Sequence, residues 1–205
     1  LLSIRQVQAE GSGSSLEQWK PVEIEMTTSV AYDNPYLDVD VSAVFMGPGG
    51  VEMTMPGFWD GGDRWKVRFA PPAPGEWTYE TVSTDPTNAG LHGITGEFVV
   101  QAYNGDHEIY KHGFIKPSDN RRYLVHEDGT PFFWLGDTHW MGLSGREKLN
   151  ESNDARFASL FKGMVDARKE QGYNVYAMTL FAGEWGDVSP TGTSNEGGPV
   201  WNGAG

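Results

Sequence analysis

An apolar run of strand length, residues 131–135, ends abruptly at a group of polar and aromatic side chains, Gly136-Asp137-Thr138-His139-Trp140. A strand that is buried on both faces of a parallel sheet is almost continuously hydrophobic. In open α/β sheets and in (β/α)8 barrels, the residues just past the carboxyl end of such a strand face the ligand. The run therefore predicts a parallel strand that delivers a carboxylate, a hydroxyl, an imidazole and an indole to the edge where these folds do chemistry.

A helical pattern and then a second apolar run follow this segment. Apolar residues recur at the spacing of one helix face between residues 152 and 171, with Ser152 or Asn153 as N-cap and Gly172 as a left-handed residue at the end. The second run covers residues 174–181. It leads into a loop that holds three more candidate side chains, Glu184, Trp185 and Asp187. Strand, helix and strand in this order predict a right-handed β-α-β crossover with both strand tips on one edge.

Composition excludes several classes of partner and cofactor. The 205 residues carry a formal net charge of −13 with only 15 Lys and Arg, which argues against a nucleic-acid partner because phosphates need clustered cations. The absence of Cys excludes disulfides and thiolate metal sites, and the histidines show no metal-ligand spacing. No apolar stretch is long enough to span a bilayer. We therefore expect no metal, no cofactor and no membrane association.

Residues 21–102 follow a different pattern, with apolar side chains at every second position. Short alternating runs are separated by turn clusters rich in Gly, Pro, Asn and Asp. The alternating runs begin near Val22, Leu37, Trp65, Trp77 and Ile94. This spacing is typical of an antiparallel sandwich, and we expect an immunoglobulin-like fold of roughly seven strands over about 80 residues, without the inter-sheet disulfide.

The patterns predict four consecutive parts. Residues 1–16 form a flexible tail or the remnant of a signal peptide, residues 17–102 the immunoglobulin-like sandwich, residues 103–120 a connector, and residues 121–205 the beginning of a (β/α)8 barrel. A hairpin around Asp128-Gly129 leads into the last part. A complete barrel needs about 250 residues. We therefore expect a multidomain chain that is the N-terminal portion of a longer protein.

Two sets of motifs resemble known families. The motifs of residues 57–61, 64–69 and 74–79 resemble an immunoglobulin-like domain that precedes glycoside hydrolase barrels and has no assigned function. Residues 123–125, 134–138 and 172–175 resemble the start of the apiosidase-like barrels, glycoside hydrolases related to family 140 that act on plant polysaccharides. The resemblance implies a pair of catalytic carboxylates at the ends of later strands. We therefore expect that pair beyond Gly205 and only substrate-binding residues within this sequence.

The six candidate substrate-binding residues also have structural interpretations. Asp137 accepts a hydrogen bond from a sugar, or it caps a short helix that begins at Thr138. His139 binds sugar or tunes a carboxylate, or it is simply a satisfied polar neighbour of Trp140. Trp140 stacks on a sugar ring or packs under the loop. The remaining three candidates, Glu184, Trp185 and Asp187, contact sugar in the adjacent subsite, or the two carboxylates are solvated loop charges.

Two functions are consistent with these features. The first is a portion of a glycoside hydrolase that acts on plant-type polysaccharide or its oligosaccharides, with carbohydrate as its only expected partner and a secreted, periplasmic or cell-surface location. The alternative is a non-catalytic carbohydrate-binding or accessory β-sandwich module that uses Trp59 or Trp77. We also expect the strand–helix–strand part to be poorly stable by itself.

Overall fold

The computed structural model divides the chain into two compact units, Leu1–Pro131 and Phe132–Gly205. It describes residues 7–9, 16–140, 142, 148, 150, 155–156, 158–178, 194–195 and 198–199. In this part of the chain the fold is mostly β, with a large curled sheet and few helices. None of the described helices is long and apolar enough to cross a membrane.

Strands dominate the first unit. They are β1 (Val7–Ala9), β2 (Val22–Thr27), β3 (Val41–Met46), β4 (Glu52–Trp59), β5 (Arg64–Phe69), β6 (Gly75–Ser83), β7 (Thr95–Val100), β8 (Ile115–Pro117), β9 (Leu124–His126) and β10 (Pro131–Phe132), whose second residue already belongs to the second unit. A four-residue helix, α1 (Pro35–Asp38), and two 3-10 turns, Pro48–Gly50 and Glu108–Tyr110, connect them.

The first seven strands form one antiparallel sheet in the order β1-β2-β5-β4-β3-β6-β7. Strand β4 changes partner along its length: it pairs with β3 as far as Pro56 and with β5 from Gly57. A parallel bridge between Glu17 and Gln101 joins the stretch before β2 to the end of β7. The sheet therefore curls and encloses one face of its strands.

The enclosed face is the apolar core. Trp65, Val67 and Phe69 of β5 are buried, and the alternating positions of β2 and β6 are buried in the same way. The rings of Phe45 and Phe69 stack with centroids 4.0 Å apart. Burial of one large apolar side chain contributes about 1.5–3 kcal/mol. The predicted period-two alternation is thus confirmed for these strands.

The alternating run predicted from Leu37 is only partly a strand. Pro35–Asp38 forms α1 because Asn34 caps it through a hydrogen bond from the Tyr36 N–H, and Pro35 suits the first helical turn. Leu37 is 75% exposed. The strand begins only at Val41, so the prediction was wrong for the residues before it.

A three-stranded sheet in the order β10-β9-β8 follows the large sheet. The predicted hairpin between β9 and β10 is confirmed. Gly129 has φ +88°, which favours glycine, and the N–H of Thr130 donates to Asp128 Oδ1 over 2.9 Å. Strand β8 lies in the range predicted as a connector.

The second unit contains the predicted strand–helix–strand sequence. Its elements are β11 (Gly136–Thr138), α2 (Leu160–Glu170), β12 (Val175–Ala177), β13 (Ser194–Asn195) and β14 (Gly198–Pro199). Strands β11 and β12 are parallel, with Asp137 opposite Tyr176. The prediction of two parallel strands joined through a helix is confirmed.

The helix begins later than predicted. Ser159 is its N-cap, because its Oγ accepts the Lys162 N–H over 3.1 Å, so the predicted start at residue 152 or 153 was wrong. The end was predicted correctly, since Gly172 has φ +86°. In α2 only Gly163 is buried.

Candidate functional site

The candidate site lies at the carboxyl ends of β11 and β12. Thr138 is paired with Ala177, and the next main-chain N–H, that of His139, donates to the Ala177 carbonyl over 2.8 Å. His139 and Trp140 therefore follow the end of β11, as predicted. Asp137 does not, because it is the middle residue of the strand. The expectation that Asp137 lies past the strand end was wrong.

The side chain of Asn174 accounts for the start of β11 at Gly136, later than the apolar run predicts. Its side-chain Oδ1 accepts the Leu135 N–H over 3.0 Å, and its Nδ2 donates to the Phe133 carbonyl over 2.7 Å. These bonds occupy the Leu135 N–H and the Phe133 carbonyl, so parallel pairing with β12 starts only at Gly136. Phe133 is 78% exposed. Sequence reasoning missed this role of Asn174, for which an amide at the first position of the second run was the available signal.

Asp137 forms an ion pair with the helix. The Nε of Arg168 in α2 donates to Asp137 Oδ2 over 2.5 Å, and this hydrogen bond lowers the pKa of the Asp137 carboxyl. The same guanidinium donates to Gln171 Oε1 over 2.9 Å and lies 5.4 Å from the ring centroid of Tyr173. The alternative role of Asp137 as a helix cap was wrong because Thr138 belongs to β11. Its contact with a sugar stays a prediction.

His139 is held by the neighbouring strand. Its Nδ1 lies 2.7 Å from the phenolic oxygen of Tyr176, which is 3.6 Å from Met164 Sδ in α2. The ring of Tyr176 meets Phe161 edge-on at 6.1 Å. The imidazole therefore has a fixed orientation at the strand end, as a group that hydrogen-bonds a ligand needs.

Trp140 is the most accessible of the described aromatic residues after β11. It is 63% exposed, so it is not packed beneath a described loop. Its exposed indole can stack on the apolar face of a sugar ring. The other three candidates, Glu184, Trp185 and Asp187, lie outside the described residues. Within the described part of the chain, no group of three or more His, Asp or Glu could hold a metal ion.

The two tryptophans of the alternative hypothesis differ in accessibility. Trp77 is fully buried, and its Nε1 donates to the Ala73 carbonyl over 2.9 Å. A binding role for Trp77 was therefore wrong. Trp59 is 38% exposed, and its Nε1 donates to the Gly62 carbonyl over 2.9 Å.

Two stretches of the chain match known families. Residues 15–84 match a domain of unknown function, DUF5060, and residues 118–198 match the apiosidase-like catalytic domain. No curated protein matches the chain significantly.

Among solved structures, the chain is similar to a "putative glycoside hydrolase" from Bacteroides vulgatus ATCC 8482, with 24% sequence identity and a TM-score of 0.59. The similarity covers 85% of this chain and 30% of that chain, so our chain spans less than a third of that protein. The chain therefore resembles DUF5060 in its N-terminal part and the apiosidase-like catalytic domain in its C-terminal part, which confirms the resemblance predicted from its motifs.

Proposed function

We propose that the chain is the N-terminal portion of a glycoside hydrolase that acts on plant-type polysaccharide or its oligosaccharides. One observation carries this proposal: the parallel pair β11–β12, with His139 and Trp140 directly after the first strand, lies inside the stretch that matches the apiosidase-like catalytic domain. The ends of parallel strands are the edge at which barrel enzymes bind their substrates.

The proposed architecture refines the mostly β fold. Residues 17–102 form an immunoglobulin-like sandwich, residues 103–120 a connector, and residues 121–205 the beginning of a (β/α)8 barrel. The exchange of partners within β4 supports the sandwich, because a strand that leaves one sheet for another closes a two-layered fold. The parallel strand–helix–strand unit supports the barrel.

The proposed substrate contacts follow the chemistry of the side chains. Trp140 stacks on a sugar ring, and His139 hydrogen-bonds a hydroxyl group from the position that Tyr176 fixes. Asp137 completes this part of the site. We also propose, from their place after the second apolar run of the sequence, that Glu184, Trp185 and Asp187 contact sugar in the adjacent subsite.

Hydrolysis itself is proposed for the whole enzyme. Glycoside hydrolysis needs two carboxyl groups on either side of the scissile bond. The resemblance implies that they stand at the ends of later strands, and the chain spans 30% of the solved chain that it resembles. Because polysaccharide is too large to enter a cell, we also propose that the enzyme is secreted, periplasmic or on the cell surface.

A binding experiment tests the substrate site on this chain. We expect oligosaccharides from plant polysaccharides to bind with an affinity that falls about tenfold in Trp140→Ala, equal to about 1.4 kcal/mol. Isothermal titration calorimetry measures this change. Trp59→Ala is the matched control because it removes an exposed tryptophan from the other unit.

The same pair of variants tests the alternative of a carbohydrate-binding module. The partial exposure of Trp59 and the fixed orientation of its indole favour this alternative. If Trp59→Ala abolishes binding and Trp140→Ala does not, the module is the correct function. An assay of the complete open reading frame for reducing ends released from plant polysaccharides then decides whether the whole protein is a hydrolase.

A further inference from the structure

The outer face of strands β4, β3, β6 and β7 forms a continuous surface, which we call the outer face. The pairing register aligns its side chains in rows across the strands, because every second residue points outward. One row runs Glu52, Met46, Thr78 and Glu97, and the next runs Thr54, Val44, Glu80 and Thr95. Further outward positions are Pro56, Ser42, Val82, Glu76 and Val99.

A groove of about 740 Å³ lies on this face. Val44, Met46 and Val82 form its apolar floor, and both Met46 and Val82 are 43% exposed. Beside the groove, Val99 is 61% exposed. An apolar strip of this kind on a sheet face is a feature of interaction sites.

The outer face is acidic, and two of its glutamates, Glu80 and Glu97, line the groove. The outward positions of these four strands include four glutamates and no Lys, Arg or His: Glu52, Glu76, Glu80 and Glu97. Glu80 and Glu97 are diagonal neighbours on adjacent strands, where Cα atoms lie about 7–8 Å apart. Neither carboxylate forms an ion pair or hydrogen bond with a described residue. Their mutual repulsion is therefore not offset within the described part of the chain.

In the other half of the curled sheet, acidic side chains form ion pairs with basic ones. On β2 and β5, Lys66 lies 3.2 Å from Glu23 and 3.1 Å from Asp60, and Arg68 also pairs with Glu23. The alternation of acids and bases there neutralises the surface locally. The unpaired acids of the outer face thus distinguish it from an ordinary solvated sheet face.

We propose that the outer face docks an extended protein segment that carries both Lys or Arg and apolar side chains on the side that faces the sheet. The glutamates complement the cationic side chains, and the floor of Val44, Met46 and Val82 receives the apolar ones. A second copy of the chain does not fit, because the glutamates of the two copies would face each other. Nucleic acid and anionic polysaccharide are repelled for the same reason. This inference does not depend on glycoside hydrolase activity.

A synthetic peptide, acetyl-(Lys-Lys-Val-Val)2-amide, serves as the probe with the full chain, because each side of this peptide carries both Lys and Val when it is extended. We expect saturable binding in fluorescence anisotropy, with chemical-shift changes in the NMR spectrum confined to β3, β6 and β7. We expect binding to weaken at least tenfold in the triple variant Glu52→Gln, Glu80→Gln and Glu97→Gln. A triple variant of exposed acids elsewhere in the first unit, Asp33→Asn, Asp63→Asn and Asp119→Asn, is the matched control and should stay within twofold of the unmodified chain.

Two further peptides separate charge from apolar contact. Acetyl-(Glu-Glu-Val-Val)2-amide should not bind, and acetyl-(Lys-Lys-Ser-Ser)2-amide should bind at least fivefold more weakly than the Lys-Val peptide. The proposal is overturned if the Lys-Val peptide does not bind, if its shift changes lie on another face, or if the two triple variants weaken binding equally. The shift map uses the unmodified chain, so it tests the proposal even if a variant fails to fold.

Discussion

Asn88 joins separate stretches of the first unit from a fully buried position. Its Oδ1 accepts hydrogen bonds from the N–H and Oγ of Ser29 and from the N–H of Gly90, at 2.9–3.1 Å. Its Nδ2 donates to Thr28 Oγ1 over 2.7 Å and to the phenolic oxygen of Tyr32 over 2.8 Å. A single amide therefore ties the loop after β2 to the loop after β6 through four of these hydrogen bonds.

We expect Asn88→Ala to destabilise the first unit by about 3 kcal/mol, because it removes a fully buried side chain together with its five hydrogen bonds. Urea unfolding followed by tryptophan fluorescence measures the change. Asn104→Ala removes an exposed amide as the control and should stay within about 0.5 kcal/mol. A loss below 1 kcal/mol in Asn88→Ala would contradict this role.

At the scale of elements, a single substitution can test the N-cap of α2. Ser159 is buried, and its Oγ accepts the Lys162 N–H and donates to the Lys148 carbonyl, both over 3.1 Å. We expect Ser159→Ala to cost about 1 kcal/mol of helix stability, seen as about fivefold faster amide exchange in α2. Ser159→Thr keeps the hydroxyl and should retain most of the protection. Equal exchange in both variants would exclude the cap as a source of stability.

Strand β4 shows which elements sequence could not predict. Strands β2, β5 and β6 were predicted because one side of each is buried, so hydrophobicity alternates along the chain. Strand β4 has no fully buried residue and contains Pro56 and Gly57, which disfavour a strand. Those two residues stand where β4 changes partner, so their place depends on the sheet as a whole rather than on local sequence.

The candidate site, like the large sheet, was predicted only in part from the sequence. Parallel strands with His139 and Trp140 after the first one followed from the apolar runs and the helical pattern between them. The positions of Asp137 and Asn174 did not, because they depend on tertiary partners. Arg168 holds Asp137 from the helix, and the Asn174 amide replaces the first part of the strand ladder. Neither contact leaves a periodic trace in the sequence.

At the scale of the whole molecule, the buried apolar side chains of the described residues are unevenly distributed. All of them lie between residues 22 and 125, in the first unit. The described part of the second unit contains no buried apolar side chain; its buried positions are Gly142, Ser159 and Gly163. Apolar burial is the main favourable term in folding, so the free energy of local opening should differ between the units.

Hydrogen exchange on the full chain measures this difference. We expect the slowest amides in β3, β5 and β6, whose enclosed faces hold Phe45, Val67 and Trp77. Amides of α2 and β12 should exchange at least a hundredfold faster, equal to about 2.7 kcal/mol less opening free energy, because Phe161 and Met164 are only partly buried. Protection of residues 160–177 equal to that of β5 would show that contacts other than apolar burial stabilise the second unit.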